Sequence, residues 1–168
     1  MTIATVASRP VARSRTTPLS RFVASLAIDP SGSTTYFLLL GLQLSDSNRI
    51  TALTQQGLPF RMVDTFQGIL GLSVDRMAEI LQIPMRTLTR RRQMDRLHAD
   101  ESGRLFLAAW VFARALALYD GNPERAHRWM DTPARGLGGA VPFTLAADPH
   151  GARMIDSLIG QIEHGLGA

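Results

Sequence analysis

The chain of 168 residues has no cysteine. Disulfides, thiolate zinc sites and cysteine nucleophiles are therefore excluded, and nothing is gained from an oxidising compartment. There is no lysine either: all 18 basic residues are arginine. Aromatic residues are sparse at 7%. No apolar run approaches the ~20 residues that a spanning helix needs. The longest, Tyr36 to Leu42, is interrupted by Gly41. No secretory apolar region is present either, so a cytoplasmic protein with no membrane partner is expected. The first 28 residues contain no acid but carry Arg9, Arg13, Arg15 and Arg21. They resemble a transit peptide superficially; a disordered basic arm is the simpler reading. Strand-type alternation of apolar and polar residues is absent throughout, so the expected fold class is all-α.

What is present is unevenly charged. Residues 1–99 hold 12 arginines against 6 acids, a net of +6, and residues 100–168 hold 6 against 8, a net of −2, which together make the +4 of the whole chain. A basic half suits a polyanionic partner; guanidinium groups pair bidentately with phosphate and with guanine.

The basic half contains the stretch around which the chain is organised, Ser73 to Arg92 (SVDRMAEILQIPMRTLTRRR). Its spacing predicts two short helices joined by a tight turn. Met77, Ala78 and Leu81 line one face of the first helix, Ile83 sits in the turn, and Leu88 faces inward from the second. Ala78 is small enough to let the helices cross closely. Arg86, Thr87, Thr89, Arg90 and Arg91 are left facing outward, which is the layout of a helix-turn-helix whose second helix enters the DNA major groove. These five are the candidate DNA-binding residues. Two positions depart from the usual pattern. Gln82 stands where the turn favours glycine, and Arg91 where an apolar residue is common, which predicts a second helix that is short or frayed at its end.

Other helices follow from periodicity and from stop signals. A short helix is expected over Leu19 to Ile28, then a turn at Asp29 to Ser33, then a buried or partner-facing run over Thr35 to Leu44. Ser45 begins a helix that Gly57 ends, and Phe60 to Leu70 forms the next. A long helix, Glu101 to Tyr119, is apolar over most of its girth, so it is central either to the core or to a dimer interface. Asn122-Pro123 starts a helix that ends at Met130. A Pro/Gly loop over Thr132 to Ala140 leads to a short helical piece and a last helix from about Gly151 to His164.

Catalytic and ligand-binding chemistry find little support. Glu124 and His127 share a helix face, but no further ligand completes a metal site. His98, His127, His150 and His164 are scattered. Gly136-Leu-Gly-Gly139 lacks the strand and third glycine of a dinucleotide fingerprint and reads as a turn. No catalytic residue, metal or cofactor is expected, and no enzymatic activity.

Several segments together carry a wider likeness: LLLGL at 38 to 42, QQGLPF at 55 to 60, LQIPMRTLTRR at 81 to 91, RWMDTPARGLGGAVPFTL at 128 to 145, and the end that begins at Gly151. From about Tyr36 to Ala168 the sequence resembles the Xre/MbcA/ParS antitoxins, the partners of RES-domain toxins that consume NAD. The resemblance implies a helix-turn-helix DNA-binding domain at 34–99 and a toxin-binding domain at 100–168; it does not reach the first 30 or so residues, and composition alone gives the disordered basic arm and short helix at 1–33. It implies two partners, operator DNA and a cognate RES-domain toxin, and a repressor that regulates its own operon. It also implies that the C-terminal end lies at the mouth of the toxin's NAD pocket. The toxin-binding residues carried over are Arg135, Leu137, Gly138, Gly139, His164, Gly165, Leu166, Gly167 and Ala168. Gln82 and Pro84 depart from the family's usual Gly and Ser. A homodimer is expected, because one such unit reads only a short half-site; the run at 35 to 44 and the helix at 101 to 119 are candidate dimer surfaces. A stand-alone transcription regulator with a dimerising or ligand-sensing C-terminal domain is the other reading.

Overall fold

The computed structural model describes residue 22, residues 35–42 and residues 50–165. The basic arm, most of the helix expected at 19–28, the turn at 29–33 and the start of the helix at Ser45 lie outside the described residues.

Among the described residues the regular elements are helical: α1 (Thr35–Leu39), α2 (Ile50–Gln56), α3 (Arg61–Leu70), α4 (Val74–Leu81), α5 (Met85–Gln93), α6 (Ala99–Leu118), α7 (Pro123–Met130), a 3-10 turn (Arg135–Leu137), α8 (Pro142–Leu145) and α9 (Pro149–Glu163). No strand forms among them; a single isolated bridge joins Pro59 and Arg96.

The helix ends follow from local chemistry. Ser73 accepts a hydrogen bond from the Arg76 N–H and caps α4, Asn122 accepts from Arg125 and caps α7, and Asp148 accepts from Gly151 and caps α9. Each cap satisfies a backbone donor that the first helical turn leaves free. Pro123 and Pro149 occupy first-turn positions, where a missing N–H costs nothing. The last helix therefore starts two residues before the Gly151 expected from sequence.

One hydrophobic core runs through the chain, from Phe22 and Phe37 through Phe66, Leu81 and Phe112 to Ile159. Its axis is α6, which packs against α1, α2, α4, α7 and α9. Small side chains at Ala108, Ala109, Ala113 and Ala115, all buried, let these neighbours approach. The apolar girth of α6 is thus used within its own chain. The same holds for α1: Phe37, Leu39 and Leu40 are buried, and Tyr36 meets Phe106 of α6 edge-on at 5.1 Å between ring centroids. Of the core and partner-facing alternatives for these two segments, the buried faces serve the core, while Tyr36, Leu38, Phe106, Leu107 and Trp110 stay partly exposed.

The linker between α5 and α6 is tied back onto the chain before α3. Leu97 donates to the Leu58 carbonyl at 2.9 Å, and Phe60 donates to Asp95 at 3.2 Å. Leu58 in turn donates to Ser102 Oγ at 2.8 Å. Gly57 makes this approach possible: a Cβ there would lie 2.1 Å from the Leu97 carbonyl oxygen, and its φ is +90°.

Candidate functional site

The α4–α5 unit is built as the pattern predicts. Met77, Ala78 and Leu81 are buried, as is Leu88 opposite them. The turn between the helices passes through Gln82 in a left-handed conformation (φ 53°, ψ 43°), whose N–H closes α4 onto Ala78 and Glu79. A side chain there is strained by roughly 1 kcal/mol relative to glycine. Arg104 of α6 donates to the Leu81 carbonyl at 3.2 Å and holds the end of α4.

Of the five residues expected to face outward from α5, Arg86, Thr89 and Arg90 are exposed and Thr87 is half-buried. Arg86 and Arg90 lie one turn apart, and among the described residues neither forms an ion pair. Their neighbour Arg92, also exposed, is held by Asp64 at 2.8 Å and lies over the Phe60 ring. Thr89 donates its hydroxyl to the Met85 carbonyl at 3.0 Å. Met85, at the first position of α5, is 41% exposed and was not foreseen as a surface residue.

Arg91 is a correction. It is 4% exposed, so it faces the chain and not a duplex. Its Nε donates to both carboxylate oxygens of Glu101, at 3.0 and 2.7 Å, and its Nη2 donates to His98 Nδ1 at 2.9 Å. The position does face the core, as an apolar residue there would, and the charge is tolerated because a partner is buried with it. Hydrogen bonds donated to Glu101 raise the pKa of the Arg91 guanidinium above its ordinary value, against the opposing effect of burial. Burial pushes Glu101 up, but the hydrogen bonds from Arg91 and from the His98 N–H outweigh it and hold the carboxyl below its ordinary value. Glu101 also accepts the His98 N–H at 2.8 Å, so one carboxylate both starts α6 and anchors α5. Consequently α5 is neither short nor frayed, and extends to Gln93.

A second surface lies on the C-terminal helices. Arg135 is exposed, as are Gly138 and Gly139, with φ of +67° and +84°. Leu137 is a second correction: it is 5% exposed and belongs to the core, where it pins the 3-10 turn. Gly136 lets that turn sit on α9, since a Cβ there would lie 2.4 Å from Leu158 Cδ1. His164 and Gly165 are exposed at the end of α9. Leu166, Gly167 and Ala168 lie outside the described residues. Sequence reasoning missed the outer face of α9, where His150, Arg153, Met154, Ser157 and Gln161 border a groove of about 570 Å³ against Gly136. Their helical spacing was a visible signal, complementary to the inward Ile155, Leu158 and Ile159. The helix is fixed by Arg114 of α6, which donates to Asp156 at 2.7 Å and Glu163 at 3.3 Å.

Arg76 ties α4 of the helix-turn-helix to the C-terminal helices α7 and α8. It donates to Glu79 on its own helix and to Asp131 at the end of α7, and lies 5.5 Å from the centre of the Phe143 ring of α8.

Residues 50–109 match the antitoxin Xre-like helix-turn-helix domain, and residues 113–165 match the antitoxin Xre/MbcA/ParS C-terminal toxin-binding domain. Over 128 residues the chain is 32% identical to the antitoxin Xre of Photorhabdus laumondii, spanning 76% of this chain and 86% of that relative. The chain belongs to the Xre antitoxin family. It is also 42% identical over 93 residues to the antitoxin Xre of Yersinia enterocolitica, covering 53% of this chain and 63% of the relative. With the antitoxin Xre of Pseudomonas putida it shares 35% over 86 residues, 51% of this chain and 54% of the other. This Xre-family chain is an antitoxin of a toxin–antitoxin system, with a helix-turn-helix followed by a toxin-binding domain. Both family descriptions are of antitoxin domains and neither is of an enzyme. Among the described residues no helix is long and apolar enough to cross a membrane.

Proposed function

We propose that this antitoxin neutralises a RES-domain toxin that degrades NAD, by placing its C-terminal end in the toxin's active site, and that it represses its own operon through α5. The observation that carries the reading is the placement of two free surfaces on one core. Arg86 and Arg90 stand exposed and outside any described ion pair on α5, while the described part of the toxin-binding domain ends in the exposed residues His164 and Gly165. Neutralisation by occlusion needs no chemistry from the antitoxin. It needs a slim terminus that fits a cleft shaped for a small substrate, and the sequence after α9, Gly165-Leu-Gly-Ala168, has no bulky polar group. Arg135, Gly138 and Gly139 contribute to the same toxin contact.

On the DNA side, Arg86 and Arg90 meet phosphates or guanine edges, Thr87 meets a phosphate or a thymine methyl, and Thr89, whose hydroxyl donates to the Met85 carbonyl, meets a thymine methyl. Action as a cytoplasmic homodimer supplies two such helices for two half-sites.

The test is co-expression with the product of the neighbouring gene. A RES-domain polypeptide that co-purifies with the tagged chain supports the reading. So does binding to the upstream DNA that Arg86→Ala with Arg90→Ala abolishes. A chain that recovers no partner from its own operon and regulates unrelated genes contradicts it.

A further inference from the structure

We propose that Met85 and Thr89 form an apolar strip that recognises the 5-methyl group of thymine in the operator. This rests on the reading of α5 as the operator-binding helix and adds the chemistry by which that helix tells one base from another.

Met85 opens α5, directly after Pro84. In a helix-turn-helix the N-terminal residues of the second helix are the ones that reach base edges. Met85 is 41% exposed, one of the few large apolar side chains left uncovered among the described residues. Thr89 lies one turn further along the same face. Its hydroxyl proton is committed to the Met85 carbonyl at 3.0 Å, so it has no proton to offer a base. Its hydroxyl oxygen can still accept, but the apolar group Thr89 carries on this face is its methyl, one turn from the Met85 thioether. Thymine is the base that displays an apolar group in the major groove.

Arg86 and Arg90, also one turn apart, flank the strip and supply attraction to phosphate or guanine. Met85 also borders a shallow groove of about 420 Å³ whose lining includes Asp75 and Glu79, the latter paired with Arg76. Carboxylates there disfavour a phosphate, so the duplex is admitted from the α5 side, with the strip against base edges.

The experiment measures binding of the full chain to the duplex upstream of its own operon, with each thymine replaced in turn by deoxyuracil. That exchange removes one methyl and nothing else. Wild type should weaken about fourfold at one or two positions per half-site, the contribution of one buried carbon group. Met85→Ala combined with Thr89→Ser should bind the unmodified duplex at least as weakly as wild type binds the uracil duplex, and should lose nothing further on the exchange. Met85→Leu, which keeps an apolar side chain of similar volume, should retain the sensitivity. If that double variant weakens both duplexes but remains as sensitive to the exchange as wild type, the strip is not the reader. If no thymine position matters while Arg86→Ala with Arg90→Ala still abolishes binding, the strip is likewise overturned and α5 remains the operator helix. If wild type does not bind the duplex at all, both readings fall.

Discussion

Arg91 shows how one side chain can look like a ligand contact and act as a fastener. Its guanidinium is buried with the Glu101 carboxylate, and removing one member of a buried pair leaves the other charge uncompensated. Arg91→Ala should therefore cost about 3–5 kcal/mol in chemical denaturation. Replacing both residues by apolar ones of similar volume should recover most of that loss. A loss below about 1 kcal/mol for Arg91→Ala would contradict the buried pairing. The Glu101 carboxyl is held below its ordinary value in the folded chain. Its stabilising contribution is then fully present above about pH 4.3, the value of an unperturbed glutamate, and is lost as pH falls through the lowered folded value. Acid unfolding should be displaced toward lower slope in Glu101→Gln, whose melting temperature should change less with pH below that point than wild type's. At Gln82, a left-handed residue without the freedom of glycine, Gln82→Gly should raise stability by about 1 kcal/mol, read from the same denaturation curves. An unchanged midpoint would mean that the turn is relaxed.

At the scale of elements, the protein depends on how α6 gathers the others. Arg76 adds a polar tie from α4 to α7 and α8, partly exposed at 24% of its side chain. Arg76→Ala should lower stability by about 1–2 kcal/mol, since it removes charge-assisted hydrogen bonds and an aromatic contact together. A thermal melt checks this, and no change would make the tie incidental. Most of these elements were legible beforehand. The 3.6-residue recurrence of Phe66, Leu70, Leu105, Phe112 and Ile155 marks inward faces, and Gly57, Gly71 and Asn122-Pro123 mark ends. The polar partners were not legible. Arg91 and Glu101 are separated by a linker whose path depends on Leu58 and Leu97 pairing, and no local spacing encodes that meeting. Leu137 enters the toxin-binding set through the family resemblance of the segment around it, although its size and apolarity suit the core position it takes. Met85 went unnoticed because an isolated methionine before an arginine run reads as packing until its exposure is known.

As a whole molecule, the chain carries a helix-turn-helix domain and a toxin-binding domain on one continuous core. The two matched family segments meet within α6, between residues 109 and 113. Heating should therefore produce a single cooperative transition with calorimetric and van't Hoff enthalpies in agreement; two separated transitions would mean that the halves are independent. Operator binding should weaken steeply with salt, and deleting residues 1–30 should flatten that slope if the arginines of the arm contact phosphates. The most direct test of separate surfaces for separate partners is the NAD content of cells that express the toxin alongside an antitoxin variant. NAD should fall with the chain truncated after His164 and stay protected with Arg86→Ala, Arg90→Ala. If the truncated chain protects NAD as well as wild type does, the C-terminal end is not the stopper and the account is wrong at its centre.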